Sequence, residues 1–378
     1  MESRTARTVS GVRAAVGPRI DVILLAAVFA LCALGIVMVY SSSAVSAAAR
    51  LGDGAYFLKR QLLAVLKFGY RRLAFLAYPA LLVSIVLLVA VLVPGIGASA
   101  GGARRWIRLP GFSLQPGELA KLGLVLYLAY SLAKKREKVK VFAVGFLPHC
   151  LITGLLALLV LGQPDFGSAV SMAIILFALL FAAGTKVSYL VGSLLAALPL
   201  AYHLVAGSPY RMKRITAFLD PWAHRHDVGY QVAESLMSIG SGGVFGLGLG
   251  DGRQKLFFLP EAHTDFIFSI IGEELGLVGV VAVIALYAVV IWRGIRAALN
   301  ATEPFGTYLA LGVTVLLGFQ SVVNMAVAMG MVPTKGLTLP FISYGGTSLV
   351  ISLAATGVLL SISQSRGGFL RPQMGDAR

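Results

Sequence analysis

The sequence predicts an all-α, polytopic membrane protein, and three observations lead to that fold class. Hydrophobic residues make up 58% of the 378-residue chain, charged residues only 13%, and the mean hydropathy is +0.85. A soluble domain carries about 25% charged residues. Apolar runs recur at lengths that match the roughly 20 residues, at about 1.5 Å each, that a helix needs to cross a bilayer. The runs are continuous rather than alternating, which excludes membrane strands and favours helices, whose backbone groups bond internally.

Nine apolar runs are predicted to be membrane helices, at residues 21–43, 73–93, 118–133, 141–161, 165–185, 187–206, 264–292, 305–329 and 345–363. Basic clusters alternate between the two sides only if the chain also crosses near 56–66, where just five apolar residues separate Gln61 from Lys67. Charge therefore predicts ten crossings with a truncated second helix and both termini inside, whereas hydropathy supports nine. The chain is then predicted to be one integral membrane domain, 1–378. Residues 1–20 form a cytoplasmic segment, 207–263 a large extracytoplasmic loop between helices 7 and 8, and 364–378 a cytoplasmic tail.

The net charge of +16 is consistent with a membrane protein. Cytoplasmic loops are enriched in Lys and Arg, and anionic headgroups of membrane lipids attract them. No basic soluble domain is available to bind nucleic acid, so nucleic-acid partners are not expected. The two cysteines, Cys32 and Cys150, lie far apart in apolar runs, which matches neither a metal-ligand spacing nor a disulfide framework.

Basic residues also occur on the loops assigned to the outer face. Those on the short outer loops and on the long loop are Arg104, Arg105, Arg108, Lys335, Arg211, Lys213, Arg214, Arg225, Arg253 and Lys255. Long loops are exempt from the positive-inside bias, so a solvated loop is one interpretation. The alternative is that the outer surface binds an anionic ligand.

Acidic residues crowd the start of the span at 264–292. Asp265 is the best catalytic candidate by position, because it lies at the water–lipid boundary next to Thr264 and His263. Glu261, four residues earlier, would face the same cavity if the helix extended back past Pro260. Capping of the helix by Asp265 is the alternative.

Two other acids begin membrane helices. Glu118 and Lys121 are three residues apart on one helix and are expected to pair, and a charge inside a span is costly enough to suggest a function. Asp165 follows a Gln-Pro pair, where capping is the favoured interpretation. Farther into the span at 264–292, Glu273 and Glu274 must pair or face a polar interior.

The glycine-rich stretch at 240–252 is not a phosphate-binding loop, because no strand precedes it and no Lys-Ser/Thr follows it. A tightly turned loop at the membrane surface is the plainer interpretation. His263 and its acidic neighbours lack a second histidine at helical spacing, so no protein metal site is predicted. By contrast, the stretch at 333–348, "PTKGLTLPFISYGGTS", is bracketed by Pro and Gly and is more typical of a re-entrant or groove-lining segment than of a solvated loop.

Several blocks together resemble the SEDS family of bacterial cell-wall polymerases, the FtsW/RodA/SpoVE family. The matching blocks, in order, are "GARRWI" (102–107), "LQPGELAK" (114–121), "QPDFGS" (163–168), "PYRMKRITAFLDPW" (209–222), the block 229–276 that contains "PEAHTDF", and "PTKGLTLPFISYGGTSL" (333–349). The last block resembles the FtsW/SpoVE branch. The short second helix is the main departure from the family pattern.

This resemblance implies ten transmembrane helices and a peptidoglycan glycosyltransferase that polymerises lipid II outside the cytoplasmic membrane during cell division. Lipid II is an undecaprenyl-pyrophosphoryl disaccharide-pentapeptide. The resemblance also implies that the essential acid is Asp265 and that Trp106 is functionally important. A class B penicillin-binding protein and other division membrane proteins are the implied partners, at the division septum.

The hypothesis that follows is that Asp265 accepts the proton of the acceptor GlcNAc 4-hydroxyl as that oxygen attacks the donor MurNAc. The candidate substrate-binding residues around it are Arg105, Trp106, Glu118, Lys121, Arg211, Arg214, Lys255, Glu261, His263 and Lys335. Basic residues or a divalent cation, Mg or Mn, would stabilise the leaving pyrophosphate. A lipid II flippase and a scaffold for division proteins remain the alternative functions.

Overall fold

The computed structural model describes residues 20–43, 70–100, 103–109, 112–252 and 264–364 and shows a bundle of long helices. The α-helices within those ranges are α1 Val22–Ser43, α2 Ala77–Leu92, α3 Pro116–Lys134, α4 Leu147–Leu161, α5 Phe166–Ala182, α6 Val187–Ala206, α7 Pro209–Leu219, α8 Tyr230–Ser241, α9 Ile267–Leu299, α10 Pro304–Ala328 and α11 Gly346–Ser363. Short 3-10 helices occupy Tyr70–Leu76 and Arg136–Lys138, and a π-helical turn, Phe142–Phe146, leads into α4.

The predicted fold class is confirmed, and each of the nine predicted spans coincides with a helix. Within the described ranges, six helical segments are long and apolar enough to cross a membrane, and α5 and the first part of α6 are shorter apolar helices. Helix α3 carries a buried ion pair within its first two turns. The proposed crossing near 56–66 lies outside the described residues.

Helix α10 occupies the centre of the bundle. It packs against α3, α5, α9 and α11, and two thirds of its most apolar window is buried (67%). Helix α9 differs along its length: residues 267–276 are enclosed by protein apart from a half-buried Leu275, whereas apolar side chains such as Leu277 and Val281 are exposed after that point. Exposed apolar side chains on a helix long enough to span a bilayer are those that face lipid.

Ion pairs join helix ends at one side of the bundle. The guanidinium of Arg293, near the end of α9, donates to the carboxylate of Asp21, just before α1, at 2.8 Å from Nε and 2.6 Å from Nη2. Arg71 lies 2.9 Å from Glu303 at the start of α10, although both side chains are largely solvated, which makes this pair weak. The chain therefore places the start of α1 and the end of α9 on the same side, as the charge pattern predicts.

A small sheet at the other end of the bundle was not predicted from the sequence. Its strands β1 Gly97–Ala100, β2 Ala103–Leu109 and β3 Phe112–Leu114 are antiparallel in the order β1-β2-β3. Strand β2 contacts α2 and α3, which fixes the sheet against the helices. The pairing of β1 with β2 is irregular at this point: Ala98 pairs with Trp106 and Ser99 with Arg104, so Arg105 is the extra residue of a bulge in β2.

Candidate active site at the start of helix α9

Asp265 lies in the turn that precedes α9, rather than in its first helical turn as the sequence suggested. The helix begins at Ile267 and its N-cap residue is Phe266, so Asp265 does not occupy the capping position. The side chain of Asp265 is partly buried. Capping is therefore a weaker explanation for this acid than the sequence left open, and the turn leaves its carboxylate at the end of the bundle.

The amide of Asn324, in the last two turns of α10, fixes the position of Asp265. Its Nδ2 donates to the Asp265 backbone oxygen at 2.9 Å and to the Leu337 backbone oxygen at 2.6 Å. One side chain thus joins the Asp265 turn to the 333–345 segment, and Asn324 is itself buried. Sequence reasoning missed this residue, although a polar amide within an apolar span is a signal of this kind.

Two further side chains hold the 333–345 segment in place. Ser343 Oγ donates to the Thr264 backbone oxygen at 2.5 Å and accepts from the Leu339 N–H at 2.8 Å. The hydroxyl of Tyr287, five turns along α9, donates to the Pro340 backbone oxygen. Because Tyr287 lies far inside the span, the segment enters the bundle, which agrees with the re-entrant prediction.

Apolar packing and an unusual backbone conformation support the same conclusion. The side chains of Leu339, Phe341 and Ile342 are buried. Phe341 has φ 71°, in the left-handed region that a bulky residue rarely adopts. Such a conformation costs on the order of 1–3 kcal/mol and persists only where surrounding contacts over-determine it, often near functional sites.

The carboxylate of Asp265 and the guanidinium of Arg105 converge above Gly336. A Cβ placed on Gly336 would lie 3.2 Å from Asp265 Oδ2 and 3.8 Å from Arg105 Nη1. Arg105 reaches this point from strand β2 and is held by the backbone oxygens of Pro164, at 2.5 Å from Nη2, and Gln163, at 3.4 Å from Nε. The small sheet therefore delivers a cation to the carboxylate, and a side chain larger than glycine would intrude between them.

Three more cations gather on the same segment. Lys335 Nζ and Arg211 Cζ lie 5.3 Å and 5.7 Å from the centroid of the Phe166 ring, so both cations contact the same aromatic side chain. Arg214 Nη1 donates to the Thr334 backbone oxygen at 3.0 Å. Helix α7, inside the long loop, thus carries two arginines to the segment that holds Lys335.

Burial lowers the pKa of the Lys335 ammonium below its ordinary value, because removing the charge from water disfavours the protonated form. An anion bound beside Lys335 would act in the opposite direction, because a nearby negative charge favours the protonated form.

Beneath these groups lies a polar cluster between α3 and α10. Lys121 is fully buried, and its Nζ lies 2.7 Å from Glu118 Oε1. Gln320 Nε2 donates to Glu118 Oε2 at 3.1 Å. The pairing of Glu118 with Lys121 is confirmed, and Gln320 is a third member that sequence reasoning missed. Because the cluster is closed on itself, its described contacts are structural, and a role in substrate binding stays a prediction.

Asp165 is an N-cap, as predicted. Its carboxylate accepts from the Ser168 N–H at 3.1 Å and from the Ser168 hydroxyl at 2.8 Å. Trp106 is partly buried on β2, opposite Ala98 of β1. Among the remaining candidates, Lys255, Glu261 and His263 lie outside the described residues.

Potential metal ligands do not cluster in the described part of the chain. No group of three or more His, Cys, Asp and Glu side chains there has a geometry that would hold an ion. Asp265 is accompanied by Arg105 and Lys335, and such a set of side chains suits an anion better than a protein-bound cation.

Together the fold and the site define a class of protein: a polytopic membrane protein with the Asp265 carboxylate and several cations at one end of the bundle. A family model described as "Cell cycle protein", the FtsW/RodA/SpoVE model, matches residues 22–367. The chain belongs to this family, and the family predicted from the sequence is confirmed.

Individual relatives agree with the assignment. A probable peptidoglycan glycosyltransferase FtsW from Geobacter sulfurreducens (strain DL-1 / KN400) is 51% identical over 355 residues, which cover 91% of this chain and 95% of the relative. A solved chain from a peptidoglycan synthase complex that coordinates polymerization and crosslinking aligns with TM-score 0.76 at 32% identity, covering 91% of this chain and 97% of that one. The rod shape determining protein RodA of Thermus thermophilus aligns with TM-score 0.65 at 33% identity, covering 92% and 97%.

Proposed function

We propose that the chain is a peptidoglycan glycosyltransferase that polymerises lipid II into β-1,4-linked glycan strands at the outer face of the cytoplasmic membrane during cell division. The observation that carries the proposal is the convergence of the Asp265 carboxylate and the Arg105 guanidinium above Gly336, the residue next to the partly buried Lys335. A base for a sugar hydroxyl and cations for a pyrophosphate are the two functions this reaction needs. The location at the end of a membrane bundle suits a substrate with a lipid tail and a water-side sugar.

The chemistry is one inverting displacement. The 4-hydroxyl oxygen of the acceptor GlcNAc attacks the anomeric carbon of the donor MurNAc, and Asp265 takes the hydroxyl proton. The bond between that carbon and the pyrophosphate oxygen breaks, so undecaprenyl pyrophosphate leaves with the electron pair. The α-linked donor becomes a β-1,4-linked product.

The cations beside Asp265 would stabilise the leaving group. Lys335 and Arg211 both lie within 6 Å of the centre of the Phe166 ring, and Arg214 donates to the Thr334 backbone oxygen of the same segment. Fixed charges of this kind act most strongly where developing negative charge is shielded from water. Arg105 is committed to two backbone oxygens, which orients it without neutralising it.

We also propose that a divalent cation, if the reaction uses one, arrives with the pyrophosphate and is not held by a protein ligand cluster. The support is the donor set: the Arg105 guanidinium converges with the Asp265 carboxylate above Gly336, where it would compete with a metal ion for the carboxylate oxygens. Mg²⁺ binds through a few ligands plus substrate phosphates in many phosphoryl sites, which is compatible with this arrangement.

A flippase is the second candidate function, and the buried Glu118–Lys121 pair is the observation in its favour. That pair, however, is satisfied by Gln320 inside the bundle, and the groups available to a ligand lie at one end. A scaffold function would require neither the cations nor a carboxylate at Asp265.

We further propose that the partner is a class B penicillin-binding protein at the septum, assisted by other division membrane proteins, with the Asp265 end facing outward. The structural relative from a complex that coordinates polymerization and crosslinking supports such a partnership. The ion pairs Arg293–Asp21 and Arg71–Glu303 would then mark the cytoplasmic end, where basic residues are favoured.

The deciding experiment reconstitutes the protein in liposomes with lipid II, with and without the penicillin-binding protein, and compares wild type with Asp265→Ala and Asp265→Asn. Glycan strands from wild type, lost by about 10²–10⁴-fold in both variants, are expected for a general base. Leaflet transfer of lipid II without strands would identify a flippase. Full polymerisation by folded Asp265→Asn would remove Asp265 from the mechanism.

A further inference from the structure

The loop after α8, residues 242–250, exposes an apolar surface that the proposed reaction does not use. We call it the glycine loop. Its Val244, Phe245, Leu247 and Leu249 side chains are all exposed, Phe245 to 85%. No charged residue occurs from 240 to 250. An exposed, contiguous apolar patch of this kind marks an interaction surface.

The glycine loop is fastened to α9 two to three turns below Asp265. The N–H groups of Leu277 and Val278 donate to the backbone oxygens of Gly243 and Val244, at 2.9 Å and 3.2 Å. In the other direction, the Leu247 N–H donates to the Glu273 backbone oxygen at 3.0 Å. These bonds place Val244 and Phe245 at the level of Val278.

Exposed side chains along α9 continue this surface directly. Leu277 and Val278, at the point of attachment, and Val281, one turn farther along the helix, are exposed. They belong to the face that meets lipid in a membrane-spanning helix. The glycine loop therefore extends the lipid-facing surface of α9 rather than standing apart from it.

The depth of the attachment follows from the length of α9. Trp292 is exposed, and the Arg293 and Arg296 guanidinium groups lie within 6 Å of its ring, an arrangement typical of a membrane–water interface. Fourteen residues separate Val278 from Trp292, or about 21 Å of helix at about 1.5 Å per residue. The hydrocarbon core is about 30 Å thick, so Val278 lies roughly 9 Å inside its opposite boundary.

An irregular backbone is tolerated at that depth only if its polar groups are paired within the protein. Gly276, with φ 63°, breaks the regular hydrogen-bond ladder of α9, and the glycine loop supplies partners on both sides of the break. The Gly246 N–H donates to the Gly242 backbone oxygen at 2.8 Å, and the Gly248 N–H to Glu274 at 3.1 Å. A side chain on Gly246, which has φ 81°, would clash with the Glu274 backbone oxygen.

We propose that the glycine loop is immersed in the hydrocarbon of the leaflet on the Asp265 side, with Phe245 among the acyl chains. The occupant of the patch is lipid, because the patch continues the lipid-facing side of α9, lies at hydrocarbon depth and carries no charge. Immersion holds the kink of α9 at a constant depth and thereby the Asp265 turn at a constant height above the membrane. The proposal does not depend on what Asp265 does.

The test is a depth measurement with a nitroxide spin label in the full chain, reconstituted in phospholipid vesicles. Cys32→Ala and Cys150→Ala supply a background without native thiols, and the label is attached at Phe245→Cys. Val281→Cys is the matched lipid-facing control, and Ala223→Cys, exposed in the polar part of the long loop, is the water control. The label at Phe245 should collide more often with oxygen, which dissolves in lipid, than with a nickel chelate, which stays in water. The label at Val281 should show the same preference, and the label at Ala223 the opposite one.

Two results would overturn the proposal. Nickel-chelate accessibility at Phe245 equal to that at Ala223 would place the loop in water. A label at Phe245 that is immobile and inaccessible to both reagents would show that protein, a second copy of this chain, covers the patch. If the cysteine-free background does not fold, Phe245→Trp in the natural chain gives the same decision: brominated acyl chains should quench the added emission, and aqueous iodide should not.

Discussion

Asn324 provides the sharpest test of how the site is held together. Its amide donates both of its protons, at 2.9 Å to the Asp265 backbone oxygen and at 2.6 Å to that of Leu337. Asn324→Ala deletes two bonds worth about 1 kcal/mol each, and it leaves buried carbonyls whose desolvation costs about 1–3 kcal/mol each where no water replaces the donor. The Asp265 turn should therefore lose about 2–4 kcal/mol of its attachment to the 333–345 segment.

If Asp265 is the base, that loss should affect the rate more than the binding of substrate. About 1.4 kcal/mol corresponds to a factor of ten in rate, and a misplacement of about 1 Å can cost about 10²-fold. We expect kcat for lipid II polymerisation to fall by about 10–100-fold in Asn324→Ala, with KM little changed. Asn324→Asp, which keeps the shape but removes both donors, should fall as far.

The matched control is Ser321→Ala, one turn earlier on the same helix. Ser321 is buried and its hydroxyl donates at 2.7 Å to the Leu317 backbone oxygen of its own helix, so the substitution disturbs α10 without touching the site. Purified proteins are compared for monodispersity, then for kcat and KM. The reasoning is refuted if folded Asn324→Asp retains wild-type kcat, or if Ser321→Ala and Asn324→Ala lower kcat equally.

Three further predictions concern charge. Burial lowers the pKa of Lys335, so its ammonium should lose its proton at a lower pH than that of an ordinary lysine. Lys335→Arg should therefore shift the alkaline limb of the kcat/KM profile to higher pH, and an unchanged limb would exclude Lys335 from catalysis. Lys121→Met should lower stability in thermal unfolding by about 3–5 kcal/mol, since it leaves the Glu118 carboxylate buried without its partner, and adding Glu118→Gln should recover much of the loss. Chelation of divalent cations should change the KM for lipid II but leave the melting temperature of the protein alone unchanged, because the cation is expected to bind with the substrate. A fall in the melting temperature would contradict this and show that the protein itself binds an ion.

The same lysine gives a stability dependence with a definite sign. Between the lowered pKa in the folded state and the ordinary pKa in the unfolded state, the unfolded chain binds more protons at Lys335. Its contribution to stability therefore rises with pH across that window, as the cost of burying the charge disappears. Below the lowered pKa the cost is present in full.

The helices were the most predictable part of the fold, because length and hydropathy decide them almost alone. The prediction 305–329 differs by one residue at each end from Pro304–Ala328, and 21–43 nearly coincides with Val22–Ser43. The span 264–292 was too short at its C-terminal end, since α9 continues through Arg293 to Leu299. Hydropathy falls where the charged residues begin, but a helix can continue into the interface with its arginines beside Trp292 or paired with Asp21.

The parts that could not be predicted depend on contacts between distant segments. The strand of Arg105 and Trp106 was treated as a loop, since strands of three to seven residues have little local signal and this sheet is held by pairing and by its contacts with α2 and α3. Gln320 and Asn324, four residues apart on α10, do carry a signal: two amides on one face of an apolar span are expensive unless they bond. Their partners, Glu118 and Asp265, could be known only from the fold.

The rigidity of Asp265 is a consequence of these long-range contacts. A catalytic group in a turn is held less precisely than one within a helix unless neighbouring groups fix the turn. Here Asn324 and Ser343 bind the backbone of residues 264 and 265, while the kink at Gly276 is bonded to the glycine loop. The ten residues between those attachments, 267–276, are almost entirely buried and cannot readily shift in a close-packed interior. Substitutions at Asn324 or Ser343 and substitutions in the glycine loop should therefore have the same effect: each should change the position of the Asp265 carboxylate relative to Arg105. The first pair acts from the water side, and the glycine loop acts from within the membrane.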